Sequence, residues 1–159
     1  MEKDSELEAT VRDLKAIHEI MNLEADYCYA ADSYDADLFA DVFAEDGVLD
    51  VIALGKTVGR EALKVLCSEQ FPRGFSFSMH FLHNPRILVD GDRATGKFYW
   101  EASLTYPNPN TATRAAGTYD SKYIKTNEGW KIKEKVVNFF YDTPYDKGWV
   151  KERFYGRAD

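Results

Sequence analysis

The spacing of apolar residues changes once along the chain, and this change constrains the fold more than any other feature. A repeat of three or four positions over Leu7–Asp32 predicts one long helix with a single inward face. Shorter helices are predicted over Asp35–Phe43 and Gly59–Pro72. Alternation of apolar and polar residues over Ser76–Tyr141 predicts a meander of four or more strands. This order predicts an α+β fold in which a curved, mostly antiparallel sheet wraps over three N-terminal helices, as one domain of residues 1–159. The predicted inward stripe of the first helix consists of Leu7, Val11, Leu14, His18, Met21, Ala25, Cys28 and Asp32.

Size and charge limit the classes of partner. The chain has 159 residues, of which 45% are hydrophobic, so it can bury one core. Its net charge is −7 and it has no basic cluster, so nucleic acid is not an expected partner. The nearest candidates, Lys131, Lys133 and Lys135, alternate along a predicted strand and are interpreted as a solvated face. No apolar run reaches the length of a membrane span and no apolar signal region is present, so a cytoplasmic protein without membrane contact is expected. Cys28 and Cys67 are expected to be reduced structural thiols.

Three histidines are the candidates for acid–base chemistry. His18 lies on the first helix and is interpreted as structural. His80 and His83 share one predicted strand and point to opposite faces, because side chains alternate with a period of two. A carboxylate beside a histidine fixes its tautomer and stabilises the imidazolium, and Asp32 on its inward stripe is the best candidate for such a pair with His80. The alternative is two separately satisfied polar residues. Phosphate-binding loops and metal-ligand spacings are absent from the sequence, so no cofactor and no metal are expected.

Several segments resemble a known family over roughly residues 12–142. VFAEDGVLDV, GREAL and DSKYIKTNEGWKI are similar to general signatures of the SnoaL-like branch of the nuclear-transport-factor-2-like superfamily, whose fold is a cystatin-like α+β barrel. DYCYAADSYDADLFADVFAED and SMHFLHNPRILVDGDRATGKFYWE resemble segments of the group that contains scytalone dehydratase, the γ-hexachlorocyclohexane dehydrochlorinase and the bile-acid 7α-dehydratase. The resemblance implies a catalytic histidine at His80 and a catalytic aspartate at Asp32, with Asp35 as the lesser candidate. It also matches Tyr27 to a pocket tyrosine.

The resemblance implies a cofactor-independent lyase that acts on a hydrophobic, cyclic small molecule. His80 would remove a proton, and Tyr27, or less favourably Tyr106, would assist the leaving group. An isomerase or cyclase with the same proton abstraction, and a non-catalytic small-molecule-binding module, are the alternatives. The candidate pocket walls, each equally compatible with plain core, are Phe75, Phe77, Phe98, Trp100, Tyr106, Tyr119, Asn138 and Phe140.

The chain departs from the resembled enzymes at three places. Asp50–Ile52 stand where the family has a water-holding tyrosine, and Phe98–Tyr106 contains no second histidine. The dehydrochlorinase's arginine falls close to Lys135, which is interpreted as facing outward. These departures leave the reaction class standing and weaken any particular substrate.

The last strand also predicts assembly. Alternate residues of Trp130–Tyr141 form two faces. One face is mostly apolar and is predicted to point inward, whereas the other begins with lysines and ends in Val137, Phe139 and Tyr141. A strand that ends apolar on both faces needs cover on both. The tail Asp142–Phe154 could supply it, and so could a second subunit. The resembled dehydratases are trimers, so a homo-oligomer is expected, with a trimer favoured over a dimer, and Phe139→Asp is expected to produce monomers.

Overall fold

Three helical segments lie in the first half of the chain, as the change of period predicts, together with a short antiparallel strand pair within residues 43–58. The computed structural model describes residues 2–52 and 54–156. Helix α1 is Glu2–Ser33 and helix α2 is Ala36–Asp41, which Asp35 caps by accepting a hydrogen bond from the Leu38 N–H at 3.0 Å. The third predicted helix is α3 (Arg60–Val65), a π-helical turn (Leu66–Gln70) and α4 (Phe71–Gly74). Pro72 therefore does not end this segment; it lies in the first turn of α4, a position that tolerates proline.

The buried face of α1 differs from the predicted stripe. Leu7, Val11, Leu14 and Met21 are exposed, so the prediction is wrong for the first two-thirds of the helix. The face that packs against the sheet is formed by Ala16, Ile20, Glu24, Tyr27, Ala30 and Ala31. Asp32 lies at the edge of this face and is about one-fifth exposed.

Six strands form one sheet in the order β2-β1-β6-β5-β4-β3. The strands are β1 (Phe43–Val51), β2 (Gly55–Val58), β3 (Phe77–Asp90), β4 (Arg93–Pro107), β5 (Asn110–Thr126) and β6 (Gly129–Pro144). All neighbours are antiparallel except β1 and β6, which are parallel. A short helix α5 (Gly148–Lys151) follows. The predicted α+β class with a curved sheet over N-terminal helices is confirmed.

A bulge in β6 reverses the predicted faces of that strand. Ile132 pairs with Tyr123 but Glu134 pairs with Lys122, so Lys133 is an extra residue. Beyond it Lys135, Val137 and Phe139 turn inward, and Lys135 is fully buried. Lys131 is also buried, because its Nζ binds the backbone carbonyl and the carboxylate of Asp41 at 2.7 and 3.0 Å. The interpretation of the three lysines as a solvated face is therefore wrong for Lys131 and Lys135.

The core lies between the concave face of the sheet and the helices. It contains Ile20 and Tyr27 from α1, Phe39 from α2, Leu63 from α3 and Ile132 from β6. Cys28 and Cys67 are buried and unpaired, which confirms the expectation of free thiols. Within residues 2–52 and 54–156 there is no helix both long enough and apolar enough to cross a membrane.

Candidate active site

A cavity of about 360 Å³ opens at one end of the space between sheet and helices. Its wall is mainly aromatic and includes Tyr27, Phe75, Trp100, Tyr106, Tyr119 and Phe139. A larger groove of about 600 Å³ beside α2 and α3 is open and charged, and is bordered by the surface ion pair of Asp37 and Lys64. A cavity lined by apolar side chains with a few polar groups is the usual form of a small-molecule site, so the aromatic cavity is the better candidate.

Asp32 and His80 meet at this cavity. Asp32 Oδ1 lies 2.6 Å from His80 Nδ1, and Asp32 Oδ2 accepts the backbone N–H of His80 at 2.8 Å. The last turn of α1 is thereby joined to the inward face of β3, where Ser78, His80 and Leu82 share parity. The predicted contact is present.

The contact determines how the imidazole can act. A carboxylate only accepts hydrogen bonds, so it favours the tautomer with the proton on Nδ1. His80 Nε2 makes no hydrogen bond with any residue that the structure describes, and the side chain lines the cavity. Nε2 is thus the nitrogen available to a ligand.

Asp32 is held in its ionised form. Burial raises the pKa of Asp32, but hydrogen bonds and charge from His80, with a further hydrogen bond from Ser78, outweigh it and leave the pKa below its ordinary value. Asp32 therefore remains a carboxylate at neutral pH. The lesser candidate, Asp35, is occupied as the N-cap of α2.

Tyr27 and Tyr119 form a protonated aromatic wall. Their rings meet edge to face with centroids 5.7 Å apart, and Tyr119 stacks on Trp100 at 5.5 Å. Burial raises the pKa of Tyr27 well above its ordinary value, and Cys28 and Glu24 add to the effect. The phenol therefore keeps its proton at neutral pH. Among the described residues, none forms a hydrogen bond with the Tyr27 hydroxyl, which leaves it as a possible donor.

A second polar group lies in the wall near the C-terminal tail. Tyr106 donates a hydrogen bond to Asp142 Oδ2 at 2.5 Å, and its ring contacts Tyr155 at 4.9 Å. Phe154 and Tyr155 line the cavity, and the Tyr155 N–H donates to the carbonyl of Asp142 at 2.6 Å. The tail therefore covers part of the cavity, which is one of the two covers that the sequence predicts.

Four of the predicted wall residues lie elsewhere. Phe77 is half exposed on the outward face of β3, and Phe98 is buried in the core away from the cavity. The Asn138 side chain points outward, where its Nδ2 donates to Asp120 Oδ2 at 3.0 Å. Phe140, the extra residue of a second bulge in β6, is exposed and contacts Tyr99. Trp100, Tyr106, Tyr119 and Phe75 line the cavity, and His83 points away from it, as predicted.

Sequence reasoning missed many residues of the wall, and three polar ones show why. Ser78 shares the parity of His80, so strand alternation alone could have identified it. Tyr34 follows the end of α1 in the left-handed region, with φ of 58°, and its hydroxyl donates to the carbonyl of Phe75 at 2.8 Å. Asp142 lies one residue beyond Tyr141, the predicted end of the last strand, so parity was not applied to it, although β6 extends to Pro144.

A buried ion pair lies behind the wall. Lys135 Nζ is 2.5 Å from Glu24 Oε2, and both side chains are 0% exposed. Glu24 Oε1 accepts the Tyr123 hydroxyl at 2.6 Å, and Lys135 Nζ donates to Ser121 Oγ at 3.2 Å. The expectation that Lys135 faces outward is wrong, and the β6 bulge is the reason.

Other chemistry is not favoured by the described residues. Burial raises the pKa of Cys28 to about 12 and that of Cys67 to about 11, so both thiols stay protonated at neutral pH. Within the described ranges, no group of three or more His, Cys, Asp or Glu residues is arranged to hold a metal ion.

Comparison with known proteins identifies the family. Residues 12–136 match the model of the SnoaL-like domain, so the chain belongs to the SnoaL-like family. An uncharacterised protein of Mycobacterium tuberculosis strain H37Rv is 29% identical over 119 residues, which cover 74% of this chain and 81% of that protein.

Solved structures share the fold. A proposed aromatic ring hydroxylase from Novosphingobium aromaticivorans is similar with a TM-score of 0.76 and 26% identity, over 82% of this chain and 94% of that one. A hexachlorocyclohexane dehydrochlorinase from Novosphingobium barchaimii LL02 gives 0.80 and 20%, over 85% and 93%. A proposed scytalone dehydratase from N. aromaticivorans DSM 12444 gives 0.77 and 23%, over 94% and 99%. Another N. aromaticivorans structure in this set is described as NTF2-like with a cystatin-like fold, which agrees with the resemblance seen in the sequence.

Proposed function

We propose that this protein is a cofactor-independent lyase of the dehydratase or dehydrohalogenase type that acts on a hydrophobic, cyclic small molecule. The 2.6 Å contact between Asp32 Oδ1 and His80 Nδ1, beside an aromatic cavity, is the observation that carries the proposal. It leaves His80 Nε2 directed to a ligand as a general base, which is the role that an imidazole performs best at neutral pH. The fold family includes dehydratases and dehydrochlorinases, which supports an enzyme over a binding module.

The reaction would be an elimination in which the protein supplies only acid–base groups. His80 Nε2 takes a proton from a carbon next to an activating group, and Asp32 stabilises the resulting imidazolium. The electron pair of the broken C–H bond forms a double bond as the leaving group departs from the neighbouring carbon. A halide leaves as the anion, whereas a hydroxyl leaves as water after it accepts a proton from Tyr27. The proton on His80 then returns to Tyr27 through solvent, or is released with the halide.

The shape of the cavity sets the class of substrate. A volume of about 360 Å³ accommodates a small ring compound, and the flat faces of Trp100 and Tyr119 suit a planar ring. Because the wall is mainly aromatic, burial of apolar surface would supply most of the affinity.

The outward face of the sheet supports a homo-oligomer, with a trimer favoured and a dimer possible. Phe77, Met79 and Phe81 alternate along edge strand β3 and are exposed, as is Tyr99 on β4. Exposed apolar patches are typical of surfaces that contact another protein, which supports this proposal. Phe139 is not part of this patch, because it lines the cavity against Trp100. A substitution intended to produce monomers therefore belongs on the outer face and not at Phe139. A cytoplasmic location is proposed from the two unpaired thiols.

The test is product analysis with a panel of cyclic compounds that carry a hydroxyl or halide on the carbon next to the one that bears the activated C–H bond. Mass spectrometry should detect loss of water or hydrogen halide. His80→Ala should lower this activity by about 10²–10⁴-fold, the usual contribution of general acid–base catalysis, while the melting temperature changes little.

His83→Ala is the matched control, because His83 lies on the same strand and faces outward. Equal loss of activity in both variants would contradict the assignment of His80. A product of unchanged mass would indicate an isomerase or cyclase with the same proton abstraction, and binding without turnover would indicate a binding module.

A further inference from the structure

The buried ion pair of Glu24 and Lys135 has its ammonium group against the cavity wall. Lys135 Nζ lies over two rings of the cavity wall, 4.5 Å from the centroid of Tyr27 and 4.3 Å from that of Tyr119. The Glu24 carboxylate instead binds the hydroxyl of Tyr123, and neither Tyr123 nor Glu24 lines the cavity. The ammonium of the pair therefore contacts two rings of the cavity wall, and the carboxylate binds a residue outside that wall.

The balance of the two charges can be seen at a neighbouring group. Burial raises the pKa of Cys28 to about 12, and after burial the lowering by Lys135 is larger than the raising by Glu24. Cys28 lies next to Tyr27 on α1 and is buried in the same core. At Cys28 the charge of Lys135 therefore outweighs that of Glu24.

Burying this charged pair in the core costs free energy. Removing two charges from water carries a large desolvation penalty, and apolar residues of similar volume are often as stable or more stable. Both side chains are 0% exposed, so neither charge is screened by solvent. Packing alone therefore does not account for a lysine at this position.

We propose that the Glu24–Lys135 pair is a fixed dipole whose positive end stabilises negative charge on a ligand in the cavity, which makes Lys135 a positioning residue for the reaction. Lys135 acts through the rings of Tyr27 and Tyr119, since it does not line the cavity itself. The role rests on the proposed function, because proton abstraction by His80 puts negative charge on the substrate. A preorganised dipole in a site shielded from water stabilises such charge without reorganising during the reaction.

A chromophoric phenol that ionises near neutral pH, such as 4-nitrophenol, tests this without turnover. Its absorbance reports the fraction ionised when bound, and its phenolate stands in for the enolate-like charge of the substrate. In the double variant E24Q/K135M the preference for the anion over the neutral phenol should fall by about threefold or more, from the Coulomb energy of a displaced charge pair. Asp32 and His80 also face the ligand, but they are unchanged in both proteins, so their effect cancels in the comparison.

The matched control is E134Q/K122M, which removes the same residue types from an exposed pair between β5 and β6, with Lys122 Nζ 2.6 Å from Glu134 Oε2. This control should leave the anion preference at its wild-type value. An unchanged preference in E24Q/K135M would overturn the proposal.

Two further outcomes also decide the question. If E24Q/K135M does not fold, E24D replaces it, because this change keeps both charges and only shortens the carboxylate side chain; its anion preference should rise above wild type because the ammonium is less closely offset, and an equal or lower preference overturns the proposal. A phenol that does not bind the wild-type protein overturns the dipole together with the apolar cavity site. Absence of elimination activity in a protein that keeps the anion preference would instead refute the proposed function alone.

Discussion

Replacing one member of the Glu24–Lys135 pair should destabilise the protein far more than replacing both members together. Both charges are fully buried, and each has only one partner of opposite charge among the described residues, at 2.5 Å. Lys135→Met leaves a buried carboxylate and Glu24→Gln leaves a buried ammonium, so each single variant should lose about 3–5 kcal/mol of unfolding free energy. For a chain of this length each kcal/mol lowers the melting temperature by about 2–4 °C, so the expected drop is roughly 6–20 °C.

The double variant E24Q/K135M should be more stable than either single variant. It leaves no uncompensated charge, and the amide oxygen introduced by Glu24→Gln can still accept the hydrogen bond of Tyr123, so the coupling energy should exceed about 2 kcal/mol. Urea denaturation followed by circular dichroism measures all four proteins. Single variants that each cost less than about 1 kcal/mol, or a double variant that costs the sum of the two, would refute the description of a coupled buried pair.

Three further predictions concern packing, assembly and pH. Gly117→Ala should cost about 1–3 kcal/mol, because a Cβ there would lie 1.7 Å from the carbonyl oxygen of Asn138, which also accepts the Trp100 Nε1–H; Gly74→Ala, where the added atom meets nothing within 4 Å, is the control in the same urea assay. Phe81→Asp on the outer face should convert an oligomer to monomers of 18.2 kDa in light scattering, and a wild-type protein that is already monomeric would exclude the proposed assembly. The folded-state pKa of Asp32 is below its unfolded value of about 3.8, so its contribution to stability is present above that pH and is lost as the pH falls through the lowered pKa. The stability difference between wild type and Asp32→Asn should therefore shrink on acidification below pH 3.8, and a difference that is constant with pH would contradict the lowered pKa.

The elements of the fold were predictable because each follows a local pattern. Helical and alternating periods, with turns at Gly55, Gly91 and Gly129, predict the observed order of helices and strands. The helix face was not predictable in the same way. Apolar residues such as Leu7 and Val11 continue the helical repeat beyond the part of α1 that packs on the sheet, and spacing alone does not indicate where that packing begins.

The Asp32–His80 contact was predicted by combining strand parity with the family resemblance. Parity placed His80 on one face with Ser78 and Leu82, and no bulge interrupts β3 before His83, so the prediction of its direction held. Asp32 was placed inward because it continues a helical stripe, but most of that stripe is exposed. The position of Asp32 was therefore predicted correctly from a pattern that is mostly wrong. The residue lies at the edge of the buried face, where a carboxylate can reach β3 and still contact water.

Bulges explain why the rest of the site was not predictable. A period of two assigns every residue of a strand to a face, and one extra residue reverses all the assignments that follow it. Lys133 does this in β6, so Lys135 and Phe139 face inward while Asn138 faces outward, opposite to prediction. The partner of Lys135 is Glu24, 111 positions away, so no local pattern records the pair. A buried lysine is stable only where the fold supplies a carboxylate, and its position was therefore determined by tertiary structure that the sequence pattern does not contain.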